Sequence, residues 1–371
     1  MAVVLPTLRG TKPAQVEAAL GRFRDRKKEL RGAQVDLGER ALKAAPSKWR
    51  GSDLPVLSHP SWLFSEPRPL EAVRIEFLDA SKTEVQRAEW KVLKGLSLSG
   101  PVSYSEAICL ANPNTAYFNG TVYRPREVVN VDAGVTIKFE VGKYFDYLDS
   151  GEVLAYEATS NRGLAKLRSR YRDPFDLSNR ATSLGILTLT VVRRGAGATF
   201  LMHRRSGSFV VGDALYHVVP AGEFAPSDIS VAAVRNDFTL WRNIMREFAE
   251  ELLGEEDAQG HGGKKIDYEG TEPYKSLTAA LLAGSLSVKT LGLVLDPLTL
   301  KPELLTVAVF DGVVFDRIFR NMVSKTTEGT IIPDIVFGEA EVKDYTSNRA
   351  VRLGARALLH LAWTHRSELY L

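Results

Sequence analysis

The sequence is short of the residues that build the most recognisable sites. It holds one cysteine, Cys109, in 371 residues. A single thiol cannot close an intrachain disulfide, and alone it cannot make a Cys-based zinc centre. It reads as a small buried apolar residue rather than a nucleophile, and its scarcity suits a reducing compartment. Neither a Gly-x-Ser-x-Gly elbow nor a Walker A loop occurs, which removes the signatures of a serine hydrolase and of a P-loop. No apolar run approaches the length of a membrane span. The opening Met1-Ala-Val-Val-Leu-Pro lacks the charged start and long apolar stretch of a secretory signal. These absences lead us to expect a cytoplasmic chain with no membrane partner. Histidine is scarce too, at six residues. His203, His217 and His360 fall on expected strands or a helix at unrelated spacing, as structural histidines do. His261 falls in a Gly-rich loop.

What the chain does have is an ordinary globular balance, 44% hydrophobic and 25% charged, enough to bury a sizeable core. Its charge is uneven. Twelve Lys and Arg against five Asp and Glu fall within residues 1–50, on a chain of net charge +3. Val16, Ala19, Leu20 and Phe23, with Leu30 beyond, recur there at helical spacing, and Pro13 suits a first turn. Residues 12–45 are therefore expected to be a basic helix, with Gly32 or Gly38 as its break. Arg22, Arg24, Arg26, Lys27, Lys28 and Arg31 have two readings: contacts to nucleic-acid phosphates, or docking on the mildly acidic remainder of the chain or on a second copy in a homodimer. Pro46, Pro55, Pro60, Pro67 and Pro69 then punctuate a stretch that contains Trp49 and Trp62. It reads as a linker or a strap rather than a packed element.

Residues 70–180 read as an α+β half. Residues 73–78 alternate as a strand does, 128–132 and 135–141 look like further strands, and a helix is expected over 83–93. Tyr144, Phe145 and Tyr147 follow, with the acids Asp146, Asp149, Glu152 and Glu157. Beyond residue 181, stretches 184–192 and 199–203 form a hairpin, and 216–219 is a short strand stopped by Pro220. Leu240–Leu253 is an amphipathic helix with Asp237 or Thr239 at its start and Gly254 at its end. Residues 255–270 make an acidic, Gly-rich loop. Strands are expected at 288–295 and 304–310 about an Asp296-Pro297 turn. A closing helix over 347–367 carries Leu353, Ala357, Leu358 and Leu361 on one side.

The chemistry gathers in the run Arg246-Glu247-Phe248-Ala249-Glu250-Glu251. Glu247, Glu250 and Glu251 stand at i, i+3 and i+4, so one helical face carries all three carboxylates. Like charges at this spacing cost about 0.2–0.5 kcal/mol per pair. A divalent cation offsets that repulsion, because Mg2+ prefers oxygen ligands, and Arg246 can orient one carboxylate. Ile244, Met245, Phe248, Leu252 and Leu253 supply the anchoring side. The plainer reading is a solvated acidic face with Arg246 and Glu250 as an i,i+4 pair. Just upstream, Val218-Val-Pro-Ala-Gly222-Glu223 is a strand whose Pro-x-Gly end permits close backbone approach, and its carbonyl could complete a metal shell. Together these parts suit metal-assisted displacement at phosphorus. Arg193, Arg194, Arg204 and Arg205 flank the hairpin, either to meet phosphates or to keep it soluble.

On these residues the chain resembles the Nudix hydrolase superfamily, whose pattern is Gly-x5-Glu-x7-Arg-Glu-U-x-Glu-Glu-x-Gly-U, with U a bulky apolar residue. Residues 246–251 match position by position, Gly222 is similar to the leading glycine, and the resemblance spans roughly residues 181–371. Two features differ. About ten residues are inserted between Gly222 and Arg246, so only Asp228 falls by count on the middle Glu, and Gly254 comes one place late. The chain is also similar to two-part, actinobacterial-type proteins that carry such a half behind an α+β half and are often labelled transcriptional regulators. The segments that carry this likeness are residues 144–152, 237–242 and 295–299.

The resemblance implies a hydrolase that cleaves a pyrophosphate bond in a nucleotide-derived substrate with Mg2+ or Mn2+. Glu247, Glu250 and Glu251 are then metal ligands and catalytic residues, Arg246 orients them, and the Gly222 carbonyl is a further ligand. Arg204 and Arg205 lie at the mouth where substrate phosphates are expected. A later acid serves as general base, among Glu328, Glu339 and Glu341. The alternative is a non-catalytic ligand sensor that controls a nucleic-acid or protein partner, or a scaffold that keeps the fold alone. The expected class is α+β. A basic helix and Pro-rich linker occupy 1–69, and an α+β domain occupies 70–180. A Nudix-like α/β/α sandwich with a mixed sheet occupies 181–371. The middle part is expected to supply a cap, a specificity wall or a dimer surface.

Overall fold

Helix α1 (Pro13–Ala44) begins at its proline and runs through both Gly32 and Gly38. Gly38 is a close approach rather than a break: a methyl group there would stand 2.7 Å from Leu353 Cδ1 on the C-terminal helix. Ala19, Leu20, Phe23, Leu30 and Leu37 are buried along its inner side. The computed structural model describes residues 13–51, 53–78, 103–113, 115, 117–131, 134–159, 167–205, 215–255, 266–326 and 329–370. The helix expected over 83–93, His261, Glu328 and most of the Gly-rich loop lie outside them.

Three of the basic residues on α1 are turned to the chain's own body. Arg26 donates to Thr159 Oγ1 at 2.6 Å and lies 4.4 Å from the Tyr156 ring. Lys27 donates to Tyr104 Oη at 2.8 Å and pairs with Glu152. Arg24 reaches the Ala111 carbonyl at 3.2 Å. Arg22, Lys28 and Arg31 stay exposed. The acids after Tyr144 are used in the same docking: Asp149 accepts from Ser105 N at 2.7 Å and from Ser105 Oγ at 2.9 Å.

The remaining elements follow in order. They are β1 (Leu63–Pro69), β2 (Val73–Phe77), α2 (Tyr104–Ala111), β3 (Thr121–Val131), β4 (Gly134–Lys143), α3 (Tyr144–Tyr147) and α4 (Val153–Ala158). Next come β5 (Gly185–Arg194), β6 (Gly197–Arg205), β7 (Leu215–Val218), β8 (Ala221–Glu223), α5 (Val231–Asn236) and α6 (Leu240–Leu253). The chain ends with α7 (Tyr274–Leu282), β9 (Leu286–Leu295), β10 (Pro302–Asp311), α8 (Gly312–Ile318), β11 (Gly329–Val336), α9 (Glu339–Ser347) and α10 (Leu353–Thr364). Strands β2, β4 and β3 form a small sheet, in that order. The main sheet runs β1-β9-β10-β5-β6-β11, with β7 on β6 and β8 on β5. It is mixed, because β10 and β5 are parallel while its other pairs are antiparallel. Helix α6 packs on one face, and α9 and α10 pack on the other. The protein is thus α+β, with a mixed sheet and an N-terminal helix. Among the described residues no helix is long and apolar enough to cross a membrane.

The Pro-rich stretch corrects one expectation. It is packed, and residues 63–69 are an outermost strand of the main sheet, antiparallel to β9. Val56, Leu57 and Trp62 beside it are buried. Proline is tolerated there because an edge strand needs no N–H donor on its outer side.

Arg180 ties the connector before β5 to the turn between β9 and β10. It is wholly buried. Its guanidinium donates to the Pro174 carbonyl at 2.7 Å, the Leu300 carbonyl at 2.8 Å and the Asp176 carbonyl at 3.2 Å. Removing it strands two buried carbonyls and a part-buried one, and lost charge-assisted bonds of this kind cost about 1.5–3 kcal/mol each before relaxation. Arg180→Ala is expected to lower stability by about 3 kcal/mol, read in urea as a lower midpoint at an unchanged m-value.

Candidate functional site

Helix α6 starts and stops on local signals. Thr239 caps it, with Oγ1 accepting from Arg242 N at 3.0 Å, and Gly254 closes it at φ 68°, a left-handed turn that glycine takes without strain. Phe248 anchors it, with its ring 5.6 Å from those of Phe310 and Phe319. The opposite side turns Glu247 toward β8. A methyl group on Gly222 would collide with the Glu247 carboxylate. The expected leading glycine and the first expected ligand are therefore brought into contact across a 25-residue separation.

Arg246 turns back to the loop after β8, where it donates to the Ala225 carbonyl and to Asn243 Oδ1, the latter at 3.0 Å. Asn243 is fully buried. Its Nδ2 reaches Glu247 Oε1 at 3.5 Å, and its Oδ1 also accepts from Ala225 N at 3.3 Å. Asn243 was not singled out from the sequence. Its signal is a polar residue four places before Glu247, inside an otherwise apolar stripe.

Glu251 is nearly buried. Arg205 Nη2 lies 3.3 Å from its Oε1, and His203 Nδ1 lies 4.0 Å from the same atom. Arg205 is thus engaged by one of the expected metal ligands, while Arg204 is exposed on the same strand. Arg194 is held by Asp316 at 2.6 Å. Glu339 and Glu341 stand in the first turn of α9, whose buried side belongs to the core on the far face of the sheet from α6. Among the described residues no three of His, Cys, Asp and Glu gather at metal-binding spacing. In donor chemistry the set suits a hard divalent cation, with three carboxylates and a glycine carbonyl.

The long interval after Gly222 has a structural use. Phe224 is fully buried, its ring 4.6 Å from Tyr123 and 5.3 Å from Phe139 on the small sheet. Tyr123 Oη donates to the Val234 carbonyl at 2.8 Å. Asp237, also fully buried, accepts from Ser227 N at 2.8 Å and from Tyr268 Oη at 2.9 Å. Residues 223–239 dock the α+β half onto the main sheet.

A second ionisable group lies across the backbone from Gly222. Lys301 pairs with Glu223 and stands 5.7 Å from the Tyr147 ring. Glu303 faces Gly354 in the first turn of α10, and its Oε2 has no hydrogen-bond partner among the described residues. Burial, then Asp296, push its carboxyl up from the ordinary 4.5 to about 8, against the pull of Lys301 and Arg352. His217 on β7 is pushed well below the ordinary 6.5, by burial first and then by Arg352 and Arg205.

Compared with known proteins, the sequence matches no family model and no curated protein.

Two outcomes follow from this geometry. Gly222→Ala is expected to cost about 1–3 kcal/mol through overpacking, and less in a Glu247→Ala background, as a double-mutant cycle in urea measures. The folded protein holds a proton on Glu303 that the unfolded chain releases above pH 4.5, so stability falls as pH rises from 4.5 through about 8. Glu303→Gln is expected to flatten that fall. His217 adds a separate loss on acidification below 6.5, where the unfolded chain takes a proton and the folded one does not. Unfolding midpoints from pH 5 to 9 read both slopes.

Proposed function

We propose that the protein is a metal-dependent hydrolase of the Nudix type, acting on a pyrophosphate bond in a nucleotide-derived substrate. The observation that carries this reading is the contact of the Glu247 carboxylate with the Gly222 backbone, on a helix that also bears Glu250 and Glu251. Helix, glycine turn and mixed sheet together support a Nudix-like sandwich for residues 181–371. Glu247, Glu250 and Glu251 with the Gly222 carbonyl are the residues to hold Mg2+ or Mn2+, whose chemistry there is to neutralise phosphate charge and acidify a water. Arg246 and Asn243 hold Glu247 and the loop after β8 in place. Arg204 is exposed where it can meet a phosphate, and Arg205 can do so on leaving Glu251.

The ion pair between Arg205 and Glu251 favours a second reading. A site whose carboxylate is already neutralised by an internal cation can bind a nucleotide without cleaving it, as a sensor does. A nucleic-acid partner would be met by Arg22, Lys28 and Arg31, the basic residues that α1 leaves exposed.

Incubation with Mg2+ or Mn2+ and a panel of dinucleoside and nucleotide-sugar pyrophosphates tests the first reading. Turnover is expected, with a loss of about a hundredfold or more in Glu250→Gln. No turnover by the native protein would overturn it. Nucleotide binding without turnover, with salt-dependent DNA retention lost when Arg22, Lys28 and Arg31 become Ser, would establish the second. Substitution is the right probe, because deleting α1 would strip the buried Phe23 and Leu30 from the core.

A further inference from the structure

A cavity of about 570 Å3 opens at one end of the main sheet. It exists because the cover of β9 stops short. The register of β1 on β9 ends at Pro69 opposite Lys289, and the chain then turns away in the single turn Leu70–Ala72. The first residues of β9 are left as the floor. Trp241, in the first turn of α6, and Tyr370, near the chain end, add aromatic walls. Trp241 precedes Glu247 by six residues, which is about 9 Å along the helix and about 120° around it. The cavity is therefore separate from the carboxylate face.

Its lining has a specific chemistry. Leu281 and Val288 are apolar, while Arg193 and Lys289 bring two cations. Neither cation makes an ion pair among the described residues. Lys289 donates to the Glu368 carbonyl at 2.5 Å and lies 4.5 Å from the Tyr370 ring. Its ammonium is pushed down from the ordinary value by burial, against Glu368. Arg193 and its neighbour Arg194 are both exposed, but Asp316 holds only Arg194. The indole nitrogen of Trp241 is buried and finds no acceptor among the described residues. Glu71 is the acid on the lining, and it is exposed at the rim. The volume is that of a site for a small organic molecule, which typically occupies roughly 300–1,000 Å3.

We propose that this cavity binds a small aromatic acid, with its ring against Trp241 and Tyr370 and its anionic group on Arg193 and Lys289. Aromatic rings favour offset or edge-on ring partners, and cations without carboxylate partners favour an anion bound by charge-assisted hydrogen bonds. The site stands independently of the hydrolase reading, so either can fail without the other.

Two fluorescent probes separate the parts of the proposal. 8-Anilino-1-naphthalenesulfonate is an aromatic anion, and N-phenyl-1-naphthylamine is nearly the same ring system without the charge. The anion is expected to titrate to one site and to bind about tenfold tighter than the neutral probe, the worth of a charge-assisted bond. Arg193→Ala and Lys289→Met are each expected to weaken the anion about tenfold and to leave the neutral probe unchanged. Trp241→Phe should remove energy transfer from that indole to the bound probe. Arg193 is exposed, so its variant folds, and an unchanged thermal midpoint checks this. Equal affinity for the two probes, or an anion titration indifferent to both cation substitutions or to Trp241→Phe, overturns the proposal.

Discussion

The burial of Phe224 is the contact on which the arrangement of the molecule depends. Its ring is wholly removed from solvent between Tyr123 and Phe139, a transfer worth about 2–3 kcal/mol. Its backbone is shared in the same way. Phe224 N donates to the Leu184 carbonyl at 2.8 Å, and its carbonyl accepts from Tyr123 N at 3.3 Å. One residue thus joins the small sheet, the main sheet and the loop that leads to α6. Gly222 lies two residues upstream, so fixing Phe224 also fixes the glycine under Glu247. The corner before it is secured from β5, where Thr190 Oγ1 donates to the Val219 carbonyl at 2.6 Å and Thr188 N to the Pro220 carbonyl at 2.9 Å.

Helix α6 joins this frame to the chemistry. Its apolar side is held by the aromatic cluster about Phe248, so its carboxylates have little freedom to spread apart. The repulsion along the acidic face is met in two ways. Asn243 and Arg246 tie the Glu247 end to the loop after β8, and Arg205 with His203 stands at the Glu251 end. The two proposed readings, hydrolase and sensor, part at Glu251, which Arg205 holds. There the Arg205 guanidinium supplies the positive charge that the proposed metal ion would otherwise bring.

Charge is also buried on the other side of β8. Strand alternation sends Glu223 away from Gly222, to Lys301, which in turn lies near the first half's Tyr147 ring. Glu303 sits nearby, its Oε2 without a hydrogen-bond partner among the described residues. Its uncharged form relieves the desolvation that a carboxylate would suffer in that place. The seam between the halves is therefore apolar at Phe224 and ionic at Lys301, and the buried Glu303 behind it makes the stability of the protein dependent on pH.

Much of the fold was legible because its signals are local. The 3.6-residue period of α1 and α6, a cap at Asp237 or Thr239, the stop at Gly254, the alternation of β2 and the apolar run of β5 each act within a few residues. The three-carboxylate face of α6 belongs to the same class, since helical geometry alone brings positions i, i+3 and i+4 together. What sequence could not decide depended on partners far along the chain. The prolines of residues 63–69 read as a strap until β9 offers them an edge. Gly38 reads as a helix break until α10 crosses it. Residues 223–239 look like an excess insertion until Tyr123 and Phe139 meet Phe224. The sequence by itself determined which residues α6 displays. Tertiary structure alone decided that Glu247 rests on Gly222 and that Glu251 faces Arg205, because burial and electrostatics act through space, between residues that the chain's order keeps apart.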